Sequence, residues 1–105
     1  MNSQIGKSGD ECDYFSVEGT VDVNSERFFK ELPARVKNSR VRLDFAKAGR
    51  INSMGVALLL RCLKEIRDGK QAEVTLQGLA PMHTMLFRMT GVFLLATPDN
   101  AGGAR

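Results

Sequence analysis

The side chains able to do chemistry are few. Cys12, Cys62 and His83 are the only thiols and the only imidazole in 105 residues. Three such ligands without a CxxC spacing do not make a tetrahedral metal site, so neither a metal nor a cofactor is expected. No Ser or Cys sits beside His83 in a nucleophile motif, so a surface or packing position is its expected place. Cys62 is expected to be an inert core thiol. The glycines form neither a Walker loop nor a GxGxxG turn. Asp44 ends an alternating segment, where a receiver-type phosphoaspartate could sit. That chemistry needs an acidic pair after the first strand and a late lysine, and neither is present. Asp44 is therefore expected to be a loop-anchoring acceptor. Nothing assembles a nucleophile, a base and an oxyanion site, so no catalytic activity is expected.

Ser53 remains. Leu43-Asp44-Phe45 is followed by Arg50-Ile51-Asn52-Ser53-Met54-Gly55, so a strand enters a short loop that delivers a serine to a helix start. Two roles fit such a hydroxyl: it can cap the helix, or it can accept a phosphate. A phosphate adds nearly two negative charges at pH 7. Free N–H groups and the dipole at a helix N-terminus tolerate them. Lys47 and Arg50 lie in the same loop. A switch of this kind acts at an interface, through repulsion and desolvation, without unfolding the domain.

Elements must hold that serine in place. Phe15, Val17, Val21 and Val23 alternate across Gly19; Val41, Leu43 and Phe45 alternate with Arg40, Arg42 and Asp44; Val74 and Leu76 alternate with Glu73, Thr75 and Gln77. These are strands with one dry and one wetter face. Strands buried on both faces read as unbroken apolar runs, so helices are expected mainly on one side of the sheet. Asn24 or Ser25 can cap a helix with Phe28, Phe29, Leu32 and Val36 inward, which Pro33 kinks or ends. Ser53 to Asp68 is the clearest helix, with Gly69 in the stop position. Pro81 to Thr90 is a third, closed by Gly91. Its stripe of Met82, Met85, Leu86 and Met89 is expected in the core, with an adaptable binding surface as the lesser alternative, and Phe87 is expected to be partly exposed. Val92 to Leu95 suits a short last strand. The expected fold is a single small α/β domain, a mixed sheet of about four to five strands with helices packed mainly on one face. It spans residues 13–96, between flexible tails at 1–12 and 97–105.

At about 100° per residue, Gly55, Leu58, Leu59, Cys62, Leu63 and Ile66 share the inward arc of the second helix. Ser53, Ala57, Leu60 and Lys64 fall on the opposite face. A serine above Ala57 and an exposed Leu60 makes a plausible docking stripe.

Composition excludes several classes. Lys and Arg total 15 against 12 Asp and Glu, a net +3 too small and too scattered for a nucleic-acid footprint. Aromatics are 7% with no Trp, which disfavours a base-stacking platform. The longest apolar run, Val56 to Leu60, is far short of a membrane span. Met1 to Asp13 holds no hydrophobic block, so a cytosolic location with reduced thiols is expected.

Taken together, these segments resemble the STAS domain (sulphate transporter and anti-sigma-factor antagonist). The family pattern is a strand ending in Asp or Asn, then a hydrophobic residue, Asp-Ser-Ser/Thr-Gly and an apolar helix. Here it reads Ile51-Asn52-Ser53-Met54-Gly55. Glu18-Gly19-Thr20-Val21-Asp22, Val74 to Leu79, and Pro81 through Thr90-Gly91-Val92-Phe93 match three further segments in order. In the antagonist branch a partner serine kinase, itself an anti-sigma factor, phosphorylates that serine and is released; a phosphatase reverses the step. The resemblance implies Ser53 as phosphoacceptor and Asp22 as a nearby acid. Asn52 replaces the usual Asp, and Met54 the usual Ser or Thr. The expected partner surface is Asp22, Arg50, Asn52, Met54, Ala57, Leu60 and Lys64. The helix from Ala57 to Leu60 and the strand from Val74 to Gly78 also resemble STAS subunits docked on the ATPase of bacterial lipid-transport ABC complexes. The closing Thr90-Gly91-Val92-Phe93 favours the antagonist branch.

Overall fold

The computed structural model describes residues 11–99. Among the described residues, six strands and three α-helices follow one another. Strands β1 (Asp13–Ser16), β3 (Arg40–Asp44), β5 (Glu73–Gln77) and β6 (Thr97–Pro98) make one sheet in the order β1-β3-β5-β6. Strands β2 (Gly19–Val21) and β4 (Ala48–Ile51) make a second, smaller one. The α/β class is as expected. In detail the strands divide between two sheets, and every pairing among the described residues is parallel.

The period-two patterns locate β3 and β5 well. Val41, Leu43, Val74 and Leu76 are buried, while Arg40, Arg42, Glu73 and Thr75 between them face the wetter side. The first alternating segment breaks in two: β1 stops at Ser16, and Gly19, with a φ of 77°, opens β2. Val23 is not inward: the strand stops at Val21, and Val23 enters a 3-10 turn, Val23–Ser25, with its side chain exposed. Ser25 holds the N-cap position of the helix that follows, without a side-chain cap bond, but it does not start the turn. Asp22 does, accepting the Asn24 N–H at 2.9 Å while its own N–H donates to Ser25 Oγ at 3.2 Å. Helix α1 (Glu26–Glu31) then buries Phe29 and leaves Phe28 at the rim. Pro33 ends it, and Leu32–Arg35 continues as a tighter 3-10 turn that buries Leu32.

Helix α2 (Ser53–Lys70) buries the whole predicted inward arc, and Val56 as well. Gly69 lies inside the helix; the left-handed closing residue is Gln71, with a φ of 53°. Helix α3 (Pro81–Thr90) ends at Gly91 as expected, but its rotation about its axis is not the expected one. His83 and Phe87 are buried, and Met82, Met85 and Met89 are exposed. The expectation ranked methionine above histidine for the core. A histidine with both ring nitrogens satisfied is no burden there, and Phe87 brings the largest apolar surface on the helix. Val92–Leu94 is a 3-10 turn, and the last strand is Thr97–Pro98, inside the stretch expected to be a tail. Asp99 fastens it, its N–H bonded to the Leu76 carbonyl at 2.7 Å and its carboxylate to Arg42 at 2.7 Å. The remainder of both expected tails lies outside the described residues, apart from Glu11 and Cys12.

Candidate functional site

The site forms where β4 runs into α2. Strand β4 pairs with β2, with Val21 opposite Ile51, and the Asn52 N–H extends the pairing to the Val21 carbonyl at 3.1 Å. Asn52 then starts the helix. Its Oδ1 accepts the Gly55 N–H at 2.8 Å, and its carbonyl accepts the Val56 N–H at 3.0 Å. A helix N-terminus leaves four N–H groups without partners in the helix, and one well-placed side-chain oxygen satisfies one of them. Asn52 therefore does the capping. Ser53, at the first helical position, is exposed, and its hydroxyl has no hydrogen-bond partner among the described residues.

Gly55 shows how tightly the turn is set. A Cβ built on it would lie 2.4 Å from the Val21 carbonyl oxygen, so the first turn of α2 rests directly on β2. Only a residue without a side chain allows that approach.

The same pairing brings Asp22 beside Asn52. Asp22 is half-buried and its carboxylate is engaged with Asn24. Arg50 is exposed on β4, and Lys47 is exposed just before it. Met54, Ala57 and Lys64 are exposed along α2; Leu60 is half-buried and packs against the core, so it is less of a free knob than expected. Met54 sits about 100° around the helix from Ser53, so the expected surface wraps the helix start.

His83 fastens this end of the molecule from the other side. Its Nδ1 accepts the Ala80 N–H at 3.2 Å, so Nε2 carries the ring proton and donates it to the Gly49 carbonyl at 2.8 Å. The ring packs near Phe45 and Phe87, and only 2% of the residue is exposed. The start of α3 is thereby tied to β4, one residue before Arg50.

The loop that leads into β4 has its own anchor. Asp44 Oδ1 accepts the Ala46 N–H at 2.9 Å, and Oδ2 accepts the Tyr14 hydroxyl. The Tyr14 hydrogen bond, followed by the Ala46 N–H, holds the Asp44 carboxyl below its ordinary range. The same carboxylate raises the Tyr14 pKa. Asp44 is the loop-anchoring acceptor it was expected to be. Gly78 closes against this turn: with φ at 70°, a Cβ there would sit 2.6 Å from Asp44 Oδ1. Burial pushes the Cys62 thiol up to about 12. Among the described residues no three His, Cys, Asp or Glu side chains gather as for a metal. No helix among them is long and apolar enough to cross a membrane.

The family model for the STAS domain matches residues 10–100, almost the entire chain. The chain belongs to the STAS family. Two solved structures share the fold of this STAS domain. A sulfate transporter family protein from Wolinella succinogenes superposes with a TM-score of 0.69 at 11% identity, over 78% of this chain and 68% of its own. The anti-sigma factor antagonist SpoIIAA, solved in its unphosphorylated form, superposes at 0.66 and 14% identity, over 90% and 87%. No curated protein matches the chain.

Within the STAS domain, strand pairing and the α2 start bring Asp22, Arg50, Asn52, Ser53 and Met54 to one end of the molecule, while Ala57, Leu60 and Lys64 continue down the helix. The residue the sequence reading missed is His83. Its position three residues after Ala80 is the signal available, since a side-chain acceptor there reaches back to the N-cap N–H.

Proposed function

We propose that this STAS domain is a binding switch of the anti-sigma-factor-antagonist type, controlled by phosphorylation of Ser53. The observation that carries the reading is the division of labour at the start of α2: Asn52 caps the helix, and the Ser53 hydroxyl is left exposed without a partner. A serine needed only for folding would be the cap. The fold shared with an anti-sigma factor antagonist agrees with this assignment.

The domain itself catalyses nothing in this reading and works in the cytoplasm. A partner serine kinase, acting also as the anti-sigma factor, transfers the γ-phosphoryl group of ATP to the Ser53 hydroxyl and releases ADP. It binds the unmodified surface formed by Asp22, Arg50, Asn52, Met54, Ala57, Leu60 and Lys64. Phosphate on Ser53 then breaks the complex. Its charge is tolerated by the helix start but not by a closed, desolvated interface. A phosphatase restores the binding form. Asn52 keeps the cap that an Asp would give, and spares the phosphate one negative neighbour.

The test uses a serine kinase that co-purifies with this chain. With Mg-ATP, mass spectrometry should find one phosphate, on Ser53, and Ser53→Asp should lose kinase binding. No phosphate on Ser53, or unchanged binding of Ser53→Asp, overturns the reading. Co-purification with an ABC ATPase instead of a kinase would place the domain in a transport complex.

A further inference from the structure

Helix α2 contains two glycines, and the fold explains one of them. Gly55 is bare because β2 lies against it. Gly69 has no such neighbour: a Cβ there would meet nothing within 4 Å. Its φ is not left-handed, and Gln71 closes the helix in its place. Glycine inside a helix is destabilising relative to alanine, so folding alone favours a side chain at this position.

The surroundings of Gly69 show what a bare backbone could serve. It lines an open groove of about 670 Å³, a size common among ligand-binding clefts. Pro33 and Ala34, in the turn after α1, form its apolar side. The second half of α2 forms the other side, with Arg61, Lys64, Glu65, Asp68 and Lys70. Asp68 is already engaged by Arg67 at 2.9 Å, whereas Arg61 and Lys70 make no ion pair among the described residues. With Arg67 counted beside Asp68, the groove carries four cations against two carboxylates. Arg67 and Lys70 also complement the negative end of the helix dipole, but Arg61 and Lys64 lie before the last turn, where that effect has faded.

Length and charge select the occupant. From Arg61 to Lys70 the helix rises about 14 Å, which four or five residues of extended chain would cover. An excess of cations asks for an acidic chain, and a bare helix backbone lets another backbone come close. A second copy of this chain, itself at +3, would bring more positive charge. A bilayer surface is flat and does not follow a groove. No aromatic residue lines this one, so a nucleic acid would find no base to stack on. We propose that the groove binds a short, extended acidic segment of a partner protein. Its backbone lies across Gly69, its carboxylates meet Arg61, Lys64 and Lys70, and a small apolar side chain rests on Pro33 and Ala34. This place is separate from the Ser53 end: Gly69 lies sixteen residues, about 24 Å, further along α2.

The experiment titrates the full, 15N-labelled chain with a capped five-residue peptide of alternating aspartate and alanine, and with its lysine–alanine counterpart, by NMR. The aspartate peptide should give saturable shifts at the Ala34, Gly69 and Lys70 amides, weakened in 1 M salt, and the lysine peptide none. Gly69→Ala should raise Tm by about 2–5 °C and yet weaken peptide binding at least fivefold. Arg61→Gln/Lys70→Gln should keep Tm within about 4 °C and weaken binding at least tenfold. A structural role for Gly69 would not give higher stability with lower affinity. No saturable shift at Ala34 and Gly69, or equal affinity in Gly69→Ala, overturns the assignment. So does a Tm lowered by Gly69→Ala, which would make the glycine a requirement of the fold. Shifts at the same amides from phosphatidylglycerol vesicles but not from the peptide would assign the groove to a membrane surface and overturn the peptide. A concentration-dependent dimer abolished by Arg61→Gln/Lys70→Gln would assign it to a second copy, with the same consequence.

Discussion

At the scale of single residues, the site turns on Asn52 and Ser53 having different tasks. Asn52→Ala removes the oxygen that holds the Gly55 N–H and should cost about 1 kcal/mol, a fall in Tm of about 4–8 °C for a domain of this size. Asn52→Asp keeps the oxygen and adds a negative charge at the helix start, so its Tm at pH 7 should equal or slightly exceed that of the wild type. Ser53→Ala should leave Tm unchanged within about 2 °C. A Ser53→Ala loss as large as that of Asn52→Ala in thermal melts would mean that Ser53 is a cap after all. The Tyr14–Asp44 pair gives a pH signature. Asp44 titrates below its ordinary value in the folded protein, so its contribution is present above about pH 4 and is lost as pH falls through the depressed pKa. The Tyr14 pKa is raised, so its contribution is present below about pH 10 and is lost as pH rises through the raised value. Urea denaturation should find Tyr14→Phe less stable than wild type by a constant amount between those limits, with the gap closing at both ends. A gap that persists at pH 2 would assign the effect to packing.

At the scale of elements, α2 and α3 show what a sequence can and cannot reveal. The α2 pattern is unambiguous: Leu58, Leu59, Cys62, Leu63 and Ile66 repeat at helical spacing, and all are buried. Gly55 in that arc signals a close approach, which the overlap of any Cβ there with the Val21 carbonyl bears out. Strand β4 carries no such signal. Ala48-Gly49-Arg50-Ile51 holds one strong β-former, and it is a strand because β2 lies beside it. Helix α3 does carry a one-sided apolar stripe, Met82, Met85, Leu86 and Met89, yet the packed face is that of His83 and Phe87, so periodicity alone pointed to the wrong side. The packed face is the one where His83 meets the Gly49 carbonyl and the Ala80 N–H and where Phe87 is fully buried. Removing that pairing should therefore loosen two elements at once. His83→Ala leaves the half-buried Gly49 carbonyl and Ala80 N–H without their partner, which costs about 1–3 kcal/mol. His83→Phe fills the space yet leaves the same two groups unsatisfied. Hydrogen exchange should speed up in both variants at β4 and the first turn of α3, with α1 unaffected. Faster exchange spread evenly over the domain would argue for a lost core residue rather than a lost latch.

At the scale of the whole molecule, the question is where phosphorylation acts. The chain carries a formal +3, and a phosphate removes about half or more of that. It does so at one exposed point, beside unpaired helix N–H groups and three residues after the exposed Arg50, with the half-buried Asp22 as the opposing charge. A charge at a helix N-terminus stabilises by about 0.3–1 kcal/mol at low salt, and Asp22 offsets part of it. The modified protein should therefore melt within about 5 °C of the unmodified one, with an unchanged far-UV spectrum. Any gain should shrink in 1 M salt, where the screening length is about 3 Å. Affinity for the kinase should behave differently. Burying the phosphate against a partner exposes it to like charge and removes its water, so binding should weaken about 100-fold, roughly 2.7 kcal/mol. The two measurements decide between mechanisms. A binding loss without a change in Tm locates the switch in the interface. A Tm lowered by about 10 °C or more would locate it in the first turn of α2, where the close contact between Gly55 and β2 leaves little room for movement.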